Sequence, residues 1–312
     1  MNEPVIHAVV PVYNNGATLR AALDSLLAEA LIRRVQVVDD GSTDNCCDRL
    51  DDAGDRVKVT RQENAGPGAA RNRGMEAALA DEEMTHVLLL DADDMLQGGD
   101  HLREAEKLLE EHHAAAVISA REEILTAEGG RLVLRQVPAA WAGGTLPCRG
   151  LVFSASRFFG ASGVLLPRAV ISAGIRFDTS LMIGEDRDFL YRVQEVGPVA
   201  VYDKPLLRVT IHDSGENLTG PKRLQRWLRD NLTLVARYGN DAESAQYLRE
   251  TSAWLIGHAS RELARRGEKV DGALWHSYRS EFEKRGWKFP LRARRWRYRG
   301  ACRGWIKRVF AH

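Results

Sequence analysis

Two rhythms of apolar residues alternate over the first hundred positions. Residues 5–13 (VIHAVVPVY), 35–40 (VQVVDD), 56–62 (RVKVTRQ) and 86–91 (HVLLLD) are short runs with β-branched or apolar stretches, the pattern of strands. Between them, apolar residues recur at helical spacing. Leu19, Ala22, Leu23, Leu26 and Leu27 make one face behind a cap at Thr18; Leu102, Ala105, Leu108 and Leu109 make another behind Asp100. A third helix opens within NAGPGAARNRG (64–74), with Pro67 in its first turn. Strand and helix in turn predict βαβ units and a mainly parallel sheet.

Beyond this the rhythm changes. Residues 114–157 read as short strands (AAAVISA, RLVLRQV) set among loops, and a helix is predicted from about Glu185. VAVYDKPLLRVTIH (199–212) reads as a strand pair or one bent strand, and from about residue 220 the pattern is helical. Two regions are therefore expected: an α/β domain over 1–218 and a helical region over 219–312.

Composition narrows the class. The charged fraction is 28% and the formal net charge +1, so no global field argues for a nucleic-acid partner. The average conceals a basic end: residues 281–312 carry eleven Lys/Arg against Glu281 and Glu283, interleaved with Trp287, Trp296, Tyr298, Trp305 and Phe310. Such a mixture over 284–310 packs on the body or docks on an anionic membrane surface; nucleic acid is the weaker reading, because the rest of the chain has no basic stretch to match. The four cysteines (Cys46, Cys47, Cys148, Cys302) have no zinc spacing, and no run approaches the ~20 apolar residues of a membrane-spanning helix. A cytoplasmic protein is expected, in peripheral contact with the inner face of the cytoplasmic membrane if the tail docks. MNEPVIHAVV is not expected to be a signal peptide.

Polar clusters fall where the predicted strands end: Tyr13-Asn14, Asp39-Asp40, Asn64 to Arg73, and Asp91 to Asp94. Parallel sheets bind ligands at the carboxyl ends of their strands, so one shared site is expected. Asp91, Asp93 and Asp94 are either solvated turn residues or hard oxygen ligands for Mg²⁺ or Mn²⁺. Asp39 and Asp40 either make an Asx turn or accept the imide N–H of a nucleobase. Gly66, Gly68, Arg71 and Arg73 at a helix start suit phosphate, yet the stretch is neither GxGxxG nor a Walker loop. A dinucleotide dehydrogenase or P-loop NTPase is therefore unsupported. Glu185 and Asp186 begin a helix, either for dipole reasons or as a general base, and His212 ends a strand.

Five stretches in this order, VVPVYNN (9–15), VVDDGSTD (37–44), NAGPGAARNRG (64–74), LLLDADD (88–94) and GEDRDF (184–189), resemble those of a family 2 glycosyltransferase with the GT-A fold. The resemblance covers residues 5–215. It implies a Rossmann-like, mainly parallel mixed sheet flanked by helices, with a helical C-terminal extension. It also implies inverting transfer of a sugar from a nucleotide-diphosphate donor, UDP-linked for preference, with Mn²⁺ or Mg²⁺ as cofactor.

Carried over by resemblance, Pro11, Tyr13 and Asp40 contact the base with Asp39 beside it. Arg71 lies near the diphosphate, Asp91 meets the ribose or sugar, and Asp93 and His212 serve the metal. Asp186, paired with Glu185, is the base toward the acceptor hydroxyl; Asp94 has no assigned role. Arg187 departs from the aromatic residue often found after the Glu-Asp pair and favours an acidic or phosphorylated acceptor. The acceptor is a glycan, a lipid-linked species or another hydroxyl compound of the bacterial cell envelope. Rival readings are a nucleotidyltransferase, which releases pyrophosphate, and a non-catalytic nucleotide-sugar-binding scaffold.

Overall fold

Leu88, Leu89 and Leu90 are completely buried, and the reason is the place of their strand. In the computed structural model, which describes residues 3–48, 50, 54–125, 130–154, 159–211 and 223–290, β4 (His86–Leu89) lies mid-sheet. It runs parallel to β1 (Ile6–Val12) on one side and antiparallel to β8 (Leu165–Pro167) on the other. β2 (Ile32–Asp39) and β3 (Val57–Arg61) extend the parallel half beyond β1. On the far side β6 (Ala116–Leu125) pairs antiparallel with β8 and with β7 (Arg131–Arg135). It also pairs parallel with β9 (Val199–Ile211), which is joined antiparallel by the short β5 (Asp94–Leu96). The order is β3-β2-β1-β4-β8-β6-β9-β5, so the N-terminal half is wholly parallel and the other half mixed.

Alternation along the strands separates two apolar layers. Ala8 and Val10 of β1 and Leu88 of β4 face α1 (Leu19–Leu27) and α3 (His101–Glu111), packing with Leu23, Leu26 and Leu102. Val9 and Leu89 belong to the opposite layer, with Met75 of α2 (Pro67–Leu79), Val170 of α4 (Arg168–Ser172) and Phe189 of α5 (Glu185–Val193). Both faces being covered, the strands read as near-continuous apolar runs. α2 sits unusually close to the sheet: a Cβ at Gly74 would lie 2.3 Å from Val9 Cγ1.

Thr18 and Asp100 stand where caps were expected, but neither side chain accepts a capping bond. β5, β8 and α4, of three to five residues, are too short to leave a periodic signal. Residues 199–211 form one bent strand: its register with β6 slips between Ser119 and Arg121, opposite Tyr202 to Leu207, where Pro205 interrupts the run.

The C-terminal helices α6 (Leu224–Tyr238), α7 (Ala245–Arg265) and α8 (Gly272–Lys284) share a cluster of their own that includes Leu228, Leu255, Leu263 and Phe282. Leu234, Val235 and Leu248 belong instead to the core of the α/β body, and Tyr238 stacks on Phe153. The boundary expected at residues 218 and 219 falls outside the described residues. Among those described, no helix is long and apolar enough to cross a membrane.

Candidate active site

The carboxyl ends of β1 and β2 are laced together before any ligand is considered. Asn14, held at φ 52°, accepts from Thr43 N through its side-chain oxygen (2.8 Å), and its own N–H donates to Ser42 Oγ (3.0 Å). Asp39, buried at the tip of β2, accepts from Ser42 N at 2.7 Å, with Arg61 Nε 3.5 Å away. Asp40 has a fuller load. It accepts from Gln62 Nε2 (2.8 Å), Ala65 N (2.9 Å) and Gly66 N (2.8 Å), so it pins the loop that enters α2. Three donors on one carboxylate make Asp40 first a loop anchor, leaving Asp39 the less committed acceptor of the pair. Tyr13 projects at the end of β1 with 51% of its surface exposed, beside the half-buried Pro11.

The second acidic group follows from the central place of β4. The chain leaves that strand through Leu90, whose N–H donates to Val9, and turns at Asp91, whose N–H donates to Ser162 Oγ at 3.1 Å. Asp91 and Asp93 are half-buried, whereas Asp94 is buried at the start of β5. Burial, then the charges of Asp91 and Asp93, hold Asp94 well above the usual carboxylate range, although its hydrogen bond with Ser162 opposes the shift. Asp94 is therefore held toward its protonated form by burial and by its acidic neighbours, at a position to which the sequence gave no role.

The third group opens α5. Gly184 takes the left-handed conformation (φ 86°) that the turn into the helix requires, and a Cβ there would meet Leu234 of α6 at 3.2 Å. Asp230 of α6 accepts from both Met182 N and Ile183 N at 3.0 Å, so the C-terminal helices hold the turn that precedes Glu185. Burial, then Asp186, pushes Glu185 up to about 7, while Arg71 pulls the other way. Asp186 is also raised by burial, against Arg187, whose backbone N–H donates to Asp186 Oδ1 at 2.8 Å. The Arg187 guanidinium donates to Ser154 O, a backbone partner rather than open solvent.

Arg71 joins the second and third groups. Its Nη2 lies 2.7 Å from Asp91 Oδ1 and its Nη1 3.2 Å from Glu185 Oε1, with the guanidinium 5.3 Å from the Phe177 ring. Burial works against its charge, but Asp91 and Glu185 outweigh it and the pKa rises. The expected place near the diphosphate is therefore shared with two carboxylate partners. A guanidinium with both terminal nitrogens on carboxylates is an internal counter-cation, and Arg73, one residue pair on, is the exposed arginine of this helix. Asn72 ties the same helix to the approach to α5 by a reciprocal pair with Phe177: Nδ2 to O at 2.9 Å, and N to Oδ1 at 2.8 Å.

The strand-end residues Asp39, Asp40 and Asp91 to Asp94 thus share one end of the sheet, and Arg71 brings Glu185 and Asp186 to it. Ser162, Phe177 and Asp230 escaped the sequence reading because their partners are 47 to 105 residues away. His212 and the tail from 291 onward lie outside the described residues. The visible start of the tail packs inward, Trp287 lying edge-on to Phe282 at 5.3 Å and Phe289 edge-on to Trp275 at 5.0 Å.

A curled α/β sheet with acids at its strand ends is the GT-A architecture, and the solved structures agree. TarS of Staphylococcus aureus (residues 1–349, in complex with UDP-GlcNAc) superposes with a TM-score of 0.60 at 19% identity, covering 90% of this chain and 89% of that one. The mannosyltransferase PcManGT of Pyrobaculum calidifontis, in complex with GDP-Man and Mn²⁺, gives 0.56 at 16% identity over 92% and 82%. Residues 7–148 match the model of glycosyl transferase family 2, and this segment is similar to that family. EpsH of Bacillus subtilis is 34% identical over 101 residues, 31% of this chain and 28% of its own length. The succinoglycan biosynthesis protein ExoW of Rhizobium meliloti is 39% identical over 103 residues, 31% of each chain. The matched segment spans less than a third of either relative.

Proposed function

We propose that the protein transfers a sugar from a nucleotide-diphosphate donor to an acceptor hydroxyl in bacterial surface-glycan synthesis, with inversion at the anomeric carbon. The observation that carries the reading is the buried Arg71, which joins the acid cluster of the strand ends to the Glu185-Asp186 pair. One set of acids faces the donor, the other the acceptor. Asp39, with Asp40 behind it, receives the base against Tyr13 and Pro11, and Asp91 meets the ribose or sugar.

Asp186 takes the proton of the acceptor hydroxyl. The new bond forms at the anomeric carbon as the bond to the diphosphate breaks, and the nucleoside diphosphate leaves. Only one base is needed, and burial strengthens Asp186 as a base.

Asp91 and Asp93 suit a Mn²⁺ or Mg²⁺ ion by their chemistry: hard oxygens at a half-open strand end. Asp91, Asp93 and Asp94 do not form a tight three-oxygen cage, which fits an ion held by one or two carboxylates plus donor phosphates. When bound, the ion supplies charge stabilisation for the leaving diphosphate.

The test is a calorimetric screen of UDP-, dTDP- and GDP-sugars with and without Mn²⁺, paired with Asp186→Asn. Donor binding should strengthen with metal and survive the substitution, while transfer falls by about 10² or more. Metal-independent donor binding removes Asp93 from its role; retained transfer removes Asp186 from its own.

The tail beyond Pro290 is proposed as a peripheral contact to an anionic membrane, which would bring the enzyme to a lipid-linked or envelope acceptor. The support is its charge: eight of the eleven Lys/Arg of residues 281–312 lie in 291–312.

A further inference from the structure

A second cluster of ligating atoms lies at the β2 tip, its two cysteines packed against the apolar core. Asp44 shapes the turn that carries it, accepting from Gly16 N (3.0 Å) and Cys46 N (3.1 Å), and Asn45 adopts φ 56°. The consecutive side chains of Cys46 and Cys47 then reach back toward Asp39. Their sulfurs are 3.7 Å apart, and both lie within 4.8 Å of a carboxylate oxygen of Asp39. Among the described residues this is the one place where three such ligands converge so closely. Both cysteines are half-buried, and Cys46 also lines an open cleft of about 620 Å³ with Gly16, Arg20 and Asp44. An ion therefore has a route in.

We infer that Asp39, Cys46 and Cys47 form a binding site for a thiophilic divalent cation of the zinc class, with one position left open. The sulfur spacing carries the argument. Zinc–sulfur bonds of 2.3 Å in tetrahedral geometry put two sulfurs about 3.8 Å apart, close to the spacing already present. Asp39 accepts only one hydrogen bond under 3 Å, from Ser42 N, and Arg61 at 3.5 Å is a loose partner. Binding moves two thiol protons to solvent and leaves two thiolates and one carboxylate around the ion. This set prefers soft metals, whereas Asp91 and Asp93 prefer Mg²⁺ or Mn²⁺. Adjacent cysteines lack the spaced-pair signature of zinc modules, so the sequence did not reveal the site.

The site stands independently of the proposed donor reading. If that reading holds, it has a consequence: the ion shares Asp39 with the nucleobase, so zinc should weaken nucleotide binding.

The test is a titration of the full-length reduced chain with Cd²⁺ in excess Mg²⁺, followed by the ultraviolet thiolate-to-cadmium band. One equivalent should saturate the band. Cys46→Ser and Cys47→Ser should each lower affinity at least tenfold, while a Cys148→Ser/Cys302→Ser double variant keeps it. Asp39→Asn should keep the two-thiolate band but weaken binding about tenfold. No band, a band unchanged in Cys47→Ser, or an affinity indifferent to Asp39→Asn overturns the site. Zinc that weakens UDP binding in the parent chain but not in Cys47→Ser establishes the shared carboxylate; an intact cadmium site without that competition overturns the donor placement of Asp39 alone.

Discussion

Glu185 shows most directly how burial and charge act against each other in this site. Its carboxyl is raised from an ordinary 4.5 to about 7, so the folded chain holds its proton more tightly than the unfolded chain. The sign follows: the stability it contributes is fully present below about pH 4.5 and is lost as pH rises toward 7. Glu185→Gln should therefore flatten the fall in thermal midpoint between those values, measured by calorimetry across pH. An unchanged slope would place the titration elsewhere. Removing the partner is a different matter. Arg71→Met leaves Glu185 buried without its cation and should cost about 3–5 kcal/mol. Adding Glu185→Gln should restore part of that loss, read as a double-mutant coupling in denaturant unfolding.

At the scale of elements, two contacts set where the acids of the candidate site stand. Gly74 lets α2 lie against β1, and Arg71 is on the same helix one turn earlier. Gly74→Ala places a methyl 2.3 Å from Val9 Cγ1, so the helix must lift and carry Arg71 with it. A loss of about 1–3 kcal/mol is expected, with activity falling further than stability accounts for. Val9→Ala should rescue both if the clash is the cause; a Gly74→Ala chain with parental activity would show that α2 tolerates the shift.

The second contact is Asp230, whose bonds to Met182 N and Ile183 N fix the turn before Glu185. Elements such as βαβ units, and the acids at strand ends, were legible because period and turn chemistry are local. This turn was not legible, because the anchor lies 47 and 48 residues away. β8 escaped for a related reason: three residues are too few for a pattern.

For the whole molecule, the C-terminal helices support the candidate site. Asp188 of α5 is fully buried and accepts from Tyr238 OH of α6 at 2.7 Å and from Arg192 at 2.7 and 2.9 Å. Removing the whole 219–312 region would strip Tyr238 from Asp188, and Asp230 from the turn before Glu185, so a truncation that tests the tail must spare them. A chain ending at Pro290 keeps the Trp287 and Phe289 contacts. It should bind vesicles containing phosphatidylglycerol at least tenfold more weakly than the full chain in a flotation assay, with the same donor affinity and thermal midpoint. Equal vesicle binding would assign the membrane contact to another surface or to none.

What the sequence determined alone was the alternation of strands and helices, the acids at the strand ends and, by five motifs in order, a resemblance to family 2 glycosyltransferases. These are matters of local periodicity and spacing, set by how residues a few positions apart share a face. What only the tertiary structure decided was the partner of each charge. Arg71 gained Asp91 and Glu185, Asp40 gained the loop that enters α2, and Asp94 gained burial beside two other acids. Cys46 and Cys47 gained a carboxylate across the β2 tip. A side chain's charge state and hydrogen bonds depend on burial and on atoms brought near from distant parts of the chain, and folding alone supplies those.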